Sequence, residues 1–446
     1  MKKLLAMALV LAMTASMAAC AQGGNDSKTP AGDNTESQGG SQELVEVTIP
    51  TYRAGENVGA IFFLPQVERF NEKYKGQYKI NIEESPSDTH NDKIKQLAQS
   101  NKMPAMVQMS DFIWIENYII KNKKYYDLKE FLDSKPDVKN VMIPDSIDYN
   151  TQDDGSVATL PLTVVRPMGT FYNSSMFKPS KPITEMTWEE FKTEMGENKV
   201  AFQTAEAGWT IQLWLCALMA TKDGGPEILN NGVEEKLTDF TLPQWKEVFG
   251  ELKAWYDSNG WTGAIGATYP DAANSFFSAQ TALIPNGPWM TGDFAPDKKD
   301  SWSNGFDGAN VVADMFPGNV ALANTKVYDW FIPDTATDGE KQLGLAFFEF
   351  ISTPAEIEAY MLAEGGSAPK LTYSEDYKKK LADDKLKSQM SDAVNSDTIM
   401  VPGLSDCIAA STGEAMSTLL PGLLDGSMSV DEFCQQLSEK AQEAAE

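Results

Sequence analysis

The sequence predicts an α/β protein whose sheets are mixed but mainly parallel, with helices on their faces. Two observations lead there. The folded body opens with segments of period two and of helical spacing in the order β-α-β-α-β, which parallel strands joined by crossover helices produce. Further along, helix-opening signals recur at Thr187, Thr353 and Ser429, so short strands continue to be separated by helices.

The elements follow from local pattern. Residues 46–52 read as the first strand, with Val47 and Ile49 alternating against polar neighbours. A helix over 59–74 carries Phe63, Val67, Phe70 and Tyr74 at helical spacing. Residues 79–84 form a second strand with Ile80 and Ile82 on one face. The next helix carries Ile94, Leu97 and Ala98, and 106–109 is a short third strand. Strands over 158–162 and 169–173 flank Arg166-Pro167. Thr187-Trp188-Glu189-Glu190 is a capping box, and 209–220 is apolar on every side, as a buried helix requires. The helix over 242–258 lines Trp245, Phe249, Leu252 and Tyr256 on one stripe and ends at Asn259-Gly260. A strand over 281–285 runs into Asn286-Gly287-Pro288-Trp289. Strands over 310–315 and 330–332 precede a helix over 339–352 with Leu343, Phe347 and Phe350. Thr353-Pro354-Ala355-Glu356 combines an N-cap, a first-turn proline and a capping glutamate, and that helix stops at Gly365-Gly366. Ser429-Val430-Asp431-Glu432 opens the last helix. The chain shows no internal repeat.

The amino terminus sets the compartment. Lys2 and Lys3 precede an apolar run over 4–17, and Ala18-Ala19 lead into Cys20, the layout of a signal peptide. The run is shorter than the roughly 20 residues that span a bilayer. Met17-Ala18-Ala19-Cys20 resembles a bacterial lipobox, which implies cleavage before Cys20 and lipidation of its sulfur. Residues 21–43 hold no large apolar side chain and cannot offset their ordering entropy. As a coil they would reach on the order of 25 Å, enough for a tether. The expected division is therefore 1–19 signal peptide and 20–43 lipidated cysteine and flexible tether, with the body on the outer face of the cytoplasmic membrane.

Charge and cysteines exclude whole classes. The net charge is −27 with one histidine, so a nucleic-acid partner, which needs clustered Lys and Arg, is not expected. Cys216, Cys407 and Cys434 fit no zinc or redox spacing. Cys216 sits in an apolar run and reads as a small hydrophobe. Cys407 and Cys434 read as unpaired buried thiols, with a bridge between them left open. His90 lies among Asp88, Asn91 and Asp92, which reads as a solvated helix terminus rather than a catalytic base. No nucleophile elbow, zinc-protease, phosphate-loop or EF-hand pattern is present, and no cofactor or metal is implied. Binding has more support. In an open α/β sheet, ligands sit beyond the carboxyl ends of the strands, here 53–57, 85–89 and 110–114. Arg53 and Asn57 are candidates on that ground. Such loops offer the planar polar groups and aromatic faces that sugars need.

Four segments then carry a family resemblance. Leu160-Pro161 followed by Thr170-Phe171-Tyr172-Asn173, the strand ending Asn286-Gly287-Pro288-Trp289, Phe347 through Pro354 followed by Gly365-Gly366-Ser367-Ala368-Pro369, and residues 428–441 occur in order behind the lipobox. Together they resemble the extracellular solute-binding proteins of sugar importers. The resemblance implies a two-lobed periplasmic-binding-protein-like fold of type II with a hinge. The N-terminal lobe would hold 44–164 and 314–352, and the C-terminal lobe 165–313 and 353–446. Solute would lie in the cleft and hold the lobes closed.

The resemblance also nominates residues. Trp289 would be the aromatic platform. Glu206 and Trp209 fall where the family places an acid and an aromatic before a buried helix; packing at the helix entry is the rival reading for Trp209. Asp111 lies near a family polar contact and has a second reading as a helix cap. Arg166 falls at the first crossing between lobes, and Trp330 is a candidate that also reads as core. The family's maltose-binding member has an aromatic on a C-terminal helix, whereas residues 405–411 here are Ser-Asp-Cys-Ile-Ala-Ala-Ser, so one stacking wall is missing or supplied elsewhere. The expected protein is a monomeric, lipid-anchored receptor, not an enzyme, that captures a mono- or oligosaccharide for an ABC permease. The alternatives are a receptor for a polyamine, which would need several cleft carboxylates around an aromatic box, a receptor for a phosphate ester, which would need Arg53 and Arg166 to converge, and a surface glycan hydrolase.

Overall fold

The computed structural model describes residues 44–55, 59–86 and 89–445. The expected signal peptide, Cys20, the expected tether and Asn57 lie outside them. β1 (Val45–Thr51) pairs in parallel with β2 (Tyr78–Glu84), and Val47 opposes Ile80 while Ile49 opposes Ile82. α1 (Ala60–Lys73) crosses between them and buries Phe63, Val67 and Phe70, the stripe its spacing predicts. α2 (His90–Gln99) follows. The expected strands at 106–109, 158–162 and 330–332 are extended segments that touch at single pairs. Val107 pairs with Phe331, and the Leu160 amide donates to the Trp330 carbonyl at 2.7 Å. Pro104, Pro161 and Pro333 lack the N–H that a continuous ladder needs.

The second half has a different sheet. β3 (Gly169–Asn173) lies between β4 (Leu283–Asn286) and β5 (Val311–Asp314), antiparallel to both. β6 (Val320–Leu322) pairs in parallel with β7 (Ile399–Val401). The helix Trp209–Met219 is buried on all sides, with Trp214 edge-on to Trp188 and Trp255 at 5.0 Å each. That explains why apolar residues occupy most of its positions on every face. The last helix, Val430–Ala445, sets Phe433 against Phe249 at 4.7 Å.

Separate apolar cores result. One gathers Val47, Ile49, Phe63, Phe70, Trp330 and Phe347. Another runs from Tyr172 to Ala441 around Trp214 and Trp245. Two boundaries differ from expectation. Residues 314–322 were expected with the first lobe, but Val320 and Leu322 lie in the second core, because β5 is stitched to β3 and β6 to β7. The helix Pro354–Glu364, expected with the second lobe, touches both sides. Glu356 accepts from Arg69 and Gln66 of α1, while Gly365 lies so near Pro288 that a Cβ there would stand 2.4 Å from the proline's. The same ion pair undoes the expected capping box. Glu356 is turned to Arg69, and the Thr353 hydroxyl donates to the Phe350 carbonyl at 2.8 Å. The boxes at Thr187 and Ser429 form as read.

Cys216, Cys407 and Cys434 are all free and buried, and burial pushes their thiols up, that of Cys434 to about 12. Among the described residues, no helix is long and apolar enough to cross a membrane.

Candidate functional site

A cavity of about 350 Å³ opens where β1 ends, where residues 160–168 run from one core to the other, and where residues 323–330 run back. A larger, shallower recess of about 550 Å³ beside Trp261 and Asn274 is surface on the second half alone and gathers no charged cluster. The first cavity is lined by residues far apart in sequence, among them Arg53, Gln108, Arg166, Trp289, Asp329, Tyr360 and Asp406.

The backbone explains how they converge. β1 delivers Tyr52 and Arg53 at its carboxyl end, where the Arg53 amide donates to Thr51 Oγ1 at 3.0 Å. The crossing segment is held at both ends: the Ile143 amide donates to the Leu162 carbonyl, Val165 pairs with Ser367, and Met168 pairs with Leu322. That places Arg166 beside the Asn-Gly-Pro-Trp turn. Its guanidinium carbon lies 5.2 Å from the Trp289 ring centre and 5.9 Å from that of Tyr360, within cation–π range. Arg166 Nη1 also reaches Glu364 Oε2 at 3.5 Å, and that carboxylate is only 5% exposed.

Asp329 is the centre of charge. It accepts from Gln108 Nε2, and its amide donates to Thr159 Oγ1 at 3.2 Å. Burial raises its pKa, and Arg53, the Gln108 bond and Arg166 pull against that rise. Burial likewise works against the Arg53 charge, but Tyr52, Tyr360 and Asp329 outweigh it and raise its pKa. The Arg53 guanidinium stays charged, and Asp329 is harder to ionise than an exposed aspartate. Gln108 Oε1 and Ser352 Oγ are buried without a partner, and both residues line the cavity. Such orphaned groups favour a guest that hydrogen-bonds.

Four of the predicted residues meet here: Arg53, Arg166, Trp289 and Trp330. Trp330 is 4% exposed and stacks on Phe63 at 5.7 Å, so it is chiefly core with one edge at the cavity. Trp209 stands behind Trp289, ring centres 6.0 Å apart, and supports it rather than lining the space. Glu206 is exposed; it accepts the Tyr269 amide at 2.7 Å and Gln203 Nε2 at 3.3 Å, which fastens the turn before the buried helix. Asp111 takes its helix-capping reading. It accepts the Trp114 amide at 3.0 Å and pairs with Lys95 at 2.6 Å, while its neighbours Ser110 and Phe112 reach the cavity. His90 is not a solvated terminus. It is 2% exposed, its Nε2 donates to the Gln108 carbonyl at 2.9 Å, and Tyr52 meets it edge-on at 5.4 Å. Burial holds its pKa below the ordinary value.

Gln108, Asp329, Tyr360 and Asp406 were not singled out from sequence. Gln108 is the polar residue of an expected strand, one position before its end, a signal that was available. Asp329, Tyr360 and Asp406 carry no local pattern.

The indole of Trp289 is placed by what is missing beneath it. A Cβ on Gly287 would stand 2.2 Å from the Trp289 ring, whereas the Gly287 backbone (φ −109°) suits any residue. Gly287→Ala should therefore fold but push the indole aside. The expected result is a loss of solute affinity of about 5- to 50-fold, part of what removing the ring would cost. A titration showing wild-type affinity would show that the ring position does not matter.

A cavity between two cores, with paired charges, orphaned hydrogen-bonding groups and aromatic walls, defines a receptor for a small polar molecule. Residues 66–388 match the family described as bacterial extracellular solute-binding protein, and the chain belongs to that family. Solved structures share the fold over nearly their whole length. A chitin oligosaccharide binding protein is 18% identical, with a TM-score of 0.69, covering 90% of this chain and 99% of its own. A Streptococcus pneumoniae solute-binding protein in complex with the blood group A-trisaccharide is 18% identical, with a TM-score of 0.65 and coverage of 89% and 99%. The cyclic alpha-maltosyl-1,6-maltose binding protein from Arthrobacter globiformis is 16% identical, with a TM-score of 0.60 and coverage of 90% and 99%. No curated protein sequence matches the chain.

Proposed function

We propose that this protein binds a neutral mono- or oligosaccharide in the Arg53–Trp289–Asp329 cavity and delivers it to an ABC permease without chemical change. The observation that carries the reading is charge balance. Arg53 and Arg166 converge, as a phosphate-ester site requires, but Asp329 and Glu364 answer them, and Asp406 adds a further carboxylate. A phosphate would have to displace Glu364 from Arg166 and would meet the charge of Asp329 beside Arg53. A polyamine would meet Asp329 under the influence of both Arg53 and Arg166, two cations lining the same cavity, which leaves Asp406 as the cavity carboxylate that neither arginine acts on. A neutral polyol can use paired arginines and carboxylates as donors and acceptors without separating them, and its C–H face can lie on an aromatic ring. The sugars bound by the structural relatives point the same way.

In this reading the lobes meet along 160–168 and 323–330, with Ser352–Thr353 as the third crossing, and closure over the solute is the protein's only mechanical act. Arg53, Asn57, Arg166, Trp289 and Trp330 contact the sugar, and Trp209, Glu206 and Asp111 set the surrounding backbone. Lipidation of Cys20 and the 21–43 tether hold a monomer at the outer face of the cytoplasmic membrane.

A thermal-shift screen tests this. The panel would hold raffinose, a chitin oligosaccharide, maltose, galactose, spermidine and glucose 6-phosphate. A neutral sugar should raise the melting temperature, since a ligand at about 100 times its Kd stabilises the folded form by roughly 2.7 kcal/mol. Shifts confined to spermidine or the phosphate ester would reject the carbohydrate reading. New reducing ends during incubation with the oligosaccharides would mark a hydrolase instead.

A further inference from the structure

We propose that Asp406 is a further solute-binding residue, which accepts hydroxyl donors of the bound sugar from the half of the molecule that does not carry Asp329. This rests on the carbohydrate reading above and names a specificity-determining contact within it. The sequence comparison left an empty place here, since residues 405–411 carry no aromatic. The structure puts a carboxylate on the cavity wall at that place. It sits on the short turn of helix Leu404–Cys407, whose Leu404 and Cys407 are buried in the second core, so the turn is rigid while Asp406 faces the space.

The surroundings of Asp406 leave acceptor capacity unused. The Asn324 side chain and the Gly403 amide lie near enough to favour its ionised form, and they can occupy at most two of its roughly four lone-pair sites. The nearest cation, Lys236, spends its ammonium on main-chain oxygens, at 2.8 Å from the carbonyl of Asp406 itself and 3.1 Å from that of Val233. No ion pair reaches the Asp406 carboxylate among the described residues. The other titratable groups facing this corner are Cys407, kept neutral by burial, Tyr149, and Glu116, which acts on Lys236. Burial outweighs Lys236, Asn324 and Gly403 and lifts the Asp406 carboxyl to about 6.

A half-buried carboxylate without an ion pair opposes folding, and such costs persist where a site uses the group. The sign follows from linkage. The folded-state pKa lies above the unfolded one, so the ionised group costs stability above pH about 6, and that cost is relieved as pH falls toward the unfolded value. A residue kept for structure would give the opposite result on neutralisation.

The experiment compares wild type with Asp406→Asn and Asp406→Ser, using the panel sugar that binds wild type most tightly. Without sugar, at about pH 7.5, Asp406→Asn should melt roughly 2–4 °C higher than wild type, with the gain shrinking toward about pH 5. Calorimetry should show its sugar affinity lowered about 10-fold or more. Wild-type affinity should fall between about pH 7.5 and pH 5 more steeply than that of Asp406→Asn; Asp329, present in both, cancels from the comparison. If both variants melt lower than wild type without sugar, Asp406 is structural and the proposal is overturned. Unchanged affinity in Asp406→Asn also overturns it and leaves the carbohydrate reading standing. If no panel sugar binds wild type, the carbohydrate reading fails and this inference fails with it.

Discussion

Glu356→Ala is expected to lower stability by about 2–3 kcal/mol and the melting temperature by roughly 2–4 °C. The carboxylate is buried and accepts Arg69 Nε and Nη2 at 2.7 Å each, a bidentate pair, with Gln66 Nε2 at 3.2 Å on the same group. Those bonds join α1 to the helix Pro354–Glu364. Removing the carboxylate leaves the buried Gln66 without its partner and Arg69 without its anion. Arg69 is 42% exposed and can be rehydrated, so the loss falls short of that for a fully buried pair. Glu356→Gln should retain part of the bonding and lose less. Gln66 and Tyr360 line the cavity, so solute affinity should fall as well, by a smaller factor. A thermal melt of Glu356→Ala within about 1 °C of wild type would show that the junction is held by apolar packing alone.

Trp289→Ala should weaken sugar binding by about 1–3 kcal/mol, roughly 5- to 150-fold, with the fold intact. The ring is half-buried at the edge of its core cluster, so its loss opens a surface pocket rather than an interior void. Arg166 lies across the ring and holds Glu364 only at 3.5 Å, so truncation also frees the guanidinium. Trp289→Phe should recover part of the affinity, since a smaller ring still offers a face. Calorimetry with the sugar chosen by the thermal screen decides the matter. An unchanged Kd for Trp289→Ala would remove the indole from the site.

Much of the first half was legible in sequence because its elements are ruled by short periods. Val47 and Ile49 alternate and pair with Ile80 and Ile82; Phe63, Val67 and Phe70 share one helical face and meet the sheet. The antiparallel arrangement of β3 with β4 and β5 was not legible, since alternation does not reveal the direction of a neighbour. The capping box at Thr353 was read correctly as a helix start and wrongly as a reciprocal bond, because Arg69, nearly 300 residues away in sequence, binds Glu356 more strongly than an exposed backbone amide can. His90 failed in the same manner. Its polar neighbours suggested solvent, whereas Tyr52 and the Gln108 carbonyl enclose it.

Sequence alone determined the class of fold, the helix starts at Thr187 and Ser429, and the Asn-Gly-Pro-Trp turn that presents Trp289. Each is set by residues within a few positions of one another, where hydrogen-bonding range and side-chain period act directly. The tertiary structure decided that Arg53, Gln108, Arg166, Asp329 and Asp406 share one space while Asp111 and Glu206 serve the backbone. The physical reason is that a polar loop residue has no preferred neighbour until separately packed cores bring distant segments together, and only then do burial and facing charge give it a function.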